Sequence, residues 1–271
     1  MRIVAMCVLG GICMIPALAH SAPAEAKGDV LDAAGDVYAD LRGGLNNSRI
    51  RFERDKEGRV VFLGGSITTQ TGWRDHTCET LRQRFPDTTF DFINAGIGGT
   101  NSTFGAMRFE RDVFKNGPVD LLFLEFAVND GGGEEGDVHR LRAMEGIVRH
   151  ARRLNPNLDI LVQYLADTRK MEAIGDGRVP PAIADHDVVT RYYNLPVINN
   201  AKEVAHRIAK GEFAWEDFSG DSCHPNTFGH ELYGKFVAGL LDRAWGGGLS
   251  EDAPLQPHPL PVFDAARIGG A

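Results

Sequence analysis

Ser66 stands in Gly64-Gly65-Ser66-Ile67-Thr68, directly after the apolar run Val60-Val61-Phe62-Leu63. Far along the chain, Asp221 and His224 share the stretch Asp221-Ser222-Cys223-His224-Pro225. A hydroxyl is a weak nucleophile near neutral pH. It needs a neighbouring base, and the base needs an acceptor that orients it. Serine, carboxylate and imidazole are the residue types that acyl transfer requires. They can act together only if the fold brings two distant stretches into contact.

The elements that must do this are legible as alternating strands and helices. Val60 to Leu63 is a continuous apolar run bounded by glycines, the mark of a strand buried on both faces. Phe90 to Ala95, Leu121 to Phe126, Ile160 to Leu165 and the short Val197-Ile198 read as four more. Between them fall stretches with helical spacing: Trp73 to Phe85, Thr103 to Phe114, Val138 to Leu154, Ala182 to Tyr193 and Ala201 to Lys210. Thr227 to Trp245 is the last long helix. Ile50-Arg51-Phe52-Glu53 alternates apolar and charged and reads as an edge strand, while Pro23 to Leu45 reads as an extension or a short surface helix. Strands alternating with helices predict a parallel sheet covered on both sides. Ligands of such sheets bind beyond the carboxyl ends of the strands. Ser66, Gly98-Gly99-Thr100 and Asn129-Asp130 each follow a predicted strand, and Asp221 and His224 lie in the loop before the last helix.

Four such loops in order resemble the blocks of the SGNH hydrolases, also called GDSL esterases. Ser66 in Gly-Gly-Ser-Ile-Thr resembles the first block, and Gly99 in Asn94-Ala95-Gly96-Ile97-Gly98-Gly99 the second. Asn129 in Ala127-Val128-Asn129-Asp130 resembles the third, and Asp221 with His224 the Asp-x-x-His block. The resemblance spans roughly Val60 to Trp245. It implies a three-layer α/β/α sandwich with a five-stranded parallel, flavodoxin-like sheet. It also implies a Ser66-His224-Asp221 triad, with the Ser66 N–H, the Gly99 N–H and the Asn129 amide as oxyanion donors. No cofactor or metal is implied. The chain departs from the pattern in three places. Gly65 stands where Asp is usual, Ala127 stands where Gly is usual, and Cys223 is an unusual neighbour for the histidine.

Bulk properties narrow the partners. The 271 residues are 43% apolar and 24% charged, ordinary for a large single domain. A formal net charge of -8 argues against nucleic acid and anionic membrane surfaces. Arg2, the apolar Ile3 to Ile15 and Ala17-Leu18-Ala19 read as a secretory signal over residues 1–19, with cleavage as late as residue 22. The expected organisation is then an extension over 23–58 with its edge strand, a hydrolase domain over 59–245, and a Gly/Pro-rich tail over 246–271. The mature protein is expected in the periplasm or outside the cell, with no stable membrane anchor. Cleavage leaves Cys78 and Cys223, which either form one disulfide or stay as thiols.

The functional expectation is an exported serine esterase acting on short acyl esters of a small molecule or a polysaccharide, above all O-acetyl groups on carbohydrate. Alternatives are a lysophospholipase or thioesterase of the same type, and an inactive SGNH-like domain that binds glycans. An α/β-hydrolase fits less well, because its Gly-x-Ser-x-Gly elbow would need Gly where Thr68 stands. Asp130, His76, His139, His150, His186, His230 and Trp73 read as structural, and Trp215 as a border of the pocket.

Overall fold

In the computed structural model, which describes residues 29–31, 37–131, 133–135 and 137–261, the apolar runs lie side by side as one sheet. In chain order the elements are β1 (Asp29–Leu31), β2 (Val37–Asp40), α1 (Asn46–Glu53), β3 (Glu57–Leu63), α2 (Ser66–Thr69) and α3 (Trp73–Arg84). There follow β4 (Thr89–Asn94), α4 (Ser102–Val113), β5 (Leu121–Leu124), α5 (Val138–Leu154), β6 (Asp159–Gln163) and α6 (Thr168–Gly175). The chain continues through α7 (Pro181–Tyr192), β7 (Val197–Ile198), α8 (Asn200–Ala209), α9 (Trp215–Phe218) and α10 (Thr227–Ala244).

The strand order is β1-β2-β7-β6-β5-β3-β4. From β4 to β7 every pairing is parallel, so five strands make the flavodoxin-like core that the sequence implies. Two short antiparallel strands, β2 on β7 and β1 on β2, extend it to seven. β5 and β6 are buried along their whole lengths, which is why their sequences are unbroken apolar runs rather than alternating ones. Helices α4, α5 and α7 pack as one layer, and α3 packs with α10 in another. Phe62 and Phe123 stack across neighbouring strands with ring centroids 5.0 Å apart, and Trp73 meets both edge-on from α3.

β3 lies between β4 and β5, so successive crossovers leave it in opposite directions. That reversal opens a crevice at the carboxyl end of β3, where Ser66 stands.

Two sequence expectations need correction. Ile50 to Glu53 is the last turn of α1, not an edge strand. Ile50 and Phe52 are both buried, and Ser48 on the same helix donates its N–H and hydroxyl to the buried Asp159 at the start of β6. That distant anchor outweighs a four-residue alternation. Within Pro23 to Leu45, the expected extension or short helix instead supplies strands β1 and β2. The signal segment and its cleavage site lie outside the described residues.

The tail beyond α10 runs over the surface as a strap. Gln256 exchanges hydrogen bonds with the Asn47 amide at 2.8 and 2.9 Å. His258 Nε2 lies 2.8 Å from Asp159 Oδ1, and Arg152 Nη1 donates to the Pro259 carbonyl.

Candidate active site

Gly64 and Gly65 turn the chain from β3 into α2, and Ser66 is the first residue of that turn of helix. Its Oγ lies 2.8 Å from His224 Nε2. His224 Nδ1 lies 2.8 Å from Asp221 Oδ2. The other carboxylate oxygen of Asp221 accepts the backbone N–H groups of Cys223 and His224, each at 2.7 Å. These two N–H groups, and then the His224 ring, pull the Asp221 carboxyl down to about 2. The charged carboxylate places the imidazole proton on Nδ1 and leaves Nε2 free to accept from the serine hydroxyl.

The loop carrying this pair is tied on all sides. Ser219 Oγ lies 2.6 Å from the His224 carbonyl oxygen and 3.0 Å from that of Asp221. Trp215 Nε1–H donates to the Asp221 carbonyl at 2.8 Å, which sets the partly exposed indole beside the site. The Thr168 N–H at the start of α6 donates to the Ser222 carbonyl. Asn226 closes the loop as the cap of α10, its side chain accepting from Gly229 N–H. Asp221 is therefore free of capping duty.

The loop after β4 passes along Ser66. A Cβ on Gly98 would stand 3.7 Å from the Ser66 Cβ. Gly99 has φ +71°, and a side chain there would meet nothing within 4 Å. Glycine is needed at 99 for its left-handed backbone rather than for room. The loop after β5 brings the Asn129 carboxamide against Gly65, where a Cβ would run into its amide oxygen. A side chain at residue 65 would force the Asn129 carboxamide to shift. Ala127 is fully buried, two residues before Asn129.

Two groups at the site were not apparent from the sequence. Asp130 and His186 pair through Oδ2 and Nε2 at 2.8 Å, across 56 residues of chain. Nothing local in the sequence links them. Glu125 follows β5 and is buried behind the serine. Burial pushes its carboxyl up to about 7, against the pull of the Lys170 ammonium and the N–H groups of Val128 and Gly65. A lone glutamate inside Leu121-Leu122-Phe123-Leu124-Glu125-Phe126-Ala127-Val128 was the available signal. Beside His224, a cleft of about 470 Å³ is lined by Gln70, Thr71, Pro225, Asn226 and Thr227 among others. Among the described residues Cys78 and Cys223 are both free thiols. Cys78 is buried on α3, whereas Cys223 is half-buried beside the His224 ring.

Residues 62–232 match the GDSL-like lipase/acylhydrolase family. The chain belongs to that family. No curated protein matches the sequence. Among solved structures it is similar to a two-domain esterase active on acetylated mannans, crystallised with mannopentaose. The two are 26% identical with a TM-score of 0.68, over 82% of this chain and 58% of the other. The chain thus spans little more than half of that esterase. It shares its fold with an acetyl xylan esterase at 22% identity and TM-score 0.53, over 69% of this chain and 98% of the other. It also shares it with Axe2, an acetylxylan esterase from Geobacillus stearothermophilus, at 16% identity and TM-score 0.53, over 69% and 94%.

Proposed function

We propose that this chain is an exported serine esterase that removes O-acetyl groups from carbohydrate through a Ser66-His224-Asp221 triad and an acyl-enzyme. The observation that carries the chemistry is the unbroken relay from Ser66 Oγ to His224 Nε2 and from His224 Nδ1 to Asp221 Oδ2, at 2.8 Å for each step. Ser66 Oγ attacks the ester carbonyl while His224 Nε2 takes its proton. The same nitrogen then protonates the departing alcohol, and water repeats the sequence to release acetate. The oxyanion is held by the Ser66 N–H, the Gly99 N–H and the Asn129 amide. Carbohydrate as the alcohol is supported by the mannan-active esterase at 26% identity and by the Gln70, Thr71, Asn226 and Thr227 side chains that line the cleft beside His224. Export is supported by the basic start and apolar run before Ala17-Leu18-Ala19.

The test is acetate release from acetylated mannan and xylan beside p-nitrophenyl esters of rising chain length. Turnover should be highest on acetate and should fall as the acyl chain grows. A steady rise towards octanoate would favour the lysophospholipase or thioesterase reading. No turnover at all, with no serine-directed phosphonate adduct on Ser66, would favour the glycan-binding reading.

A further inference from the structure

Cys223 has no task in ester hydrolysis, yet its sulfur lies 3.4 Å from His224 Nδ1, the nitrogen that faces Asp221. One ligand atom each from Asp221, Cys223 and His224 falls within 4.8 Å of the others. We propose that these three side chains form an inhibitory site for a thiophilic divalent cation such as Zn²⁺, which switches the esterase off by capturing its base.

The nitrogen and sulfur already stand at the spacing a bound ion needs. Tetrahedral zinc with bonds of about 2.3 Å to sulfur and about 2.0 Å to nitrogen holds those two atoms about 3.5 Å apart. The carboxylate oxygen, now 2.8 Å from Nδ1, lies where the ion would bind and has to swing aside by about 2 Å to join the tetrahedron. Asp221 Oδ1 is engaged by two backbone N–H groups, which leaves Oδ2 to bind the ion without unravelling the loop. The Asp221 side chain is 53% exposed and that of His224 35%, so an ion has a path in and water can complete the shell. The electrostatics suit a cation. Asp221 stays ionised down to about 2. Burial first, and then the Asp221 and Asp167 carboxylates, push the Cys223 thiol up. A thiol so held is a poor nucleophile for disulfide exchange, which disfavours a redox role. A divalent cation offsets the same negative field and deprotonates the thiol by direct coordination.

The protons balance. Coordination releases the thiol proton to solvent. The proton on His224 Nδ1 gives way to the metal, and the neutral imidazole carries its proton on Nε2 instead. Nε2–H can no longer accept from Ser66, so attack on the ester cannot be assisted.

The inference rests on the proposed triad for its inhibitory consequence, but binding can be read without turnover. Metal-stripped protein is titrated with Zn²⁺ while p-nitrophenyl acetate hydrolysis is followed, each rate normalised to its own metal-free value. Half-inhibition should need at least tenfold more Zn²⁺ in Cys223→Ser, and Mg²⁺ should not inhibit. In parallel, Co²⁺ added to wild-type protein should produce a sulfur-to-cobalt charge-transfer band that is absent from Cys223→Ser. Equal zinc sensitivity of the two proteins, or no cobalt band in the wild type, overturns the site. No turnover in the metal-free protein, with the cobalt band still produced on titration, would instead point to failure of the esterase assignment.

Discussion

His186 Nε2 lies 2.8 Å from Asp130 Oδ2, and neither side chain has meaningful contact with solvent. The other oxygen of Asp130 accepts the Ser102 N–H at the start of α4. Burial alone would raise this carboxyl, but His186 and Ser102 hold it below the usual aspartate range. The residue after Asn129 is therefore clamped between α4 and α7, and the clamp orients the amide assigned to the oxyanion. Asp130→Asn should cost about 1–3 kcal/mol of stability, read by urea unfolding. It should also lower kcat, by up to about 10²-fold, with KM little changed. A stability loss with kcat intact would leave Asp130 a purely structural residue.

Asn129→Ala removes the amide itself. The fold should persist, because the buried hydrogen bonds of this loop belong to Asp130 and Arg140. The expected loss in kcat is about 10²–10³-fold. Circular dichroism and unfolding curves matching the wild type must accompany it, and a near-wild-type kcat would remove Asn129 from the site.

Asp221 stays charged down to about 2, so it does not titrate in any ordinary assay. As pH falls, kcat/KM should show no step that belongs to Asp221 within the assay range. Asp221→Asn should lower kcat by at least tenfold, and by as much as about 10⁴-fold if the imidazole settles in the wrong tautomer.

Two buried groups tilt stability in opposite directions with pH. Glu125, ordinarily 4.5, is pushed up to about 7 by burial. Between those values the folded chain holds more protons than the unfolded one, so this group makes stability fall as pH rises. His230, ordinarily 6.5, is pushed down to about 4, first by burial and then by neighbouring histidines. Its unprotonated Nδ1 accepts the Trp73 N–H at 3.2 Å. Between 4 and 6.5 the unfolded chain holds more protons, so this group makes stability fall as pH drops. Across that range Glu125→Gln should make the melting temperature rise more steeply with pH, and His230→Gln should make it rise less steeply. Slopes that shift in the same direction would contradict the assignment.

The parallel core was readable because strands covered on both faces must be apolar throughout, as Leu121 to Leu124 is. The long helices were readable from one buried stripe, as on α5. Serine, glycine and asparagine could be assigned to strand ends because glycines and turn residues interrupt those runs, and aspartate and histidine to the loop before the last helix. What local pattern hid was decided by distant partners. α1 looked like a strand until Asp159 supplied its anchor. The strands β1 and β2 are too short to show a period, and they depend on β7 for a partner. The separation of 56 residues between Asp130 and His186 left no trace in either neighbourhood.

The strap formed by Gln256, His258 and Pro259 grips α1, α5 and Asp159, where β6 begins. Ser66 opens at the other pole of the sheet, where the parallel strands end. Anchorage and chemistry are thus insulated from each other by the length of the barrier between them. A label placed on the strap would stand at the back of the molecule and leave the mouth at Ser66 clear.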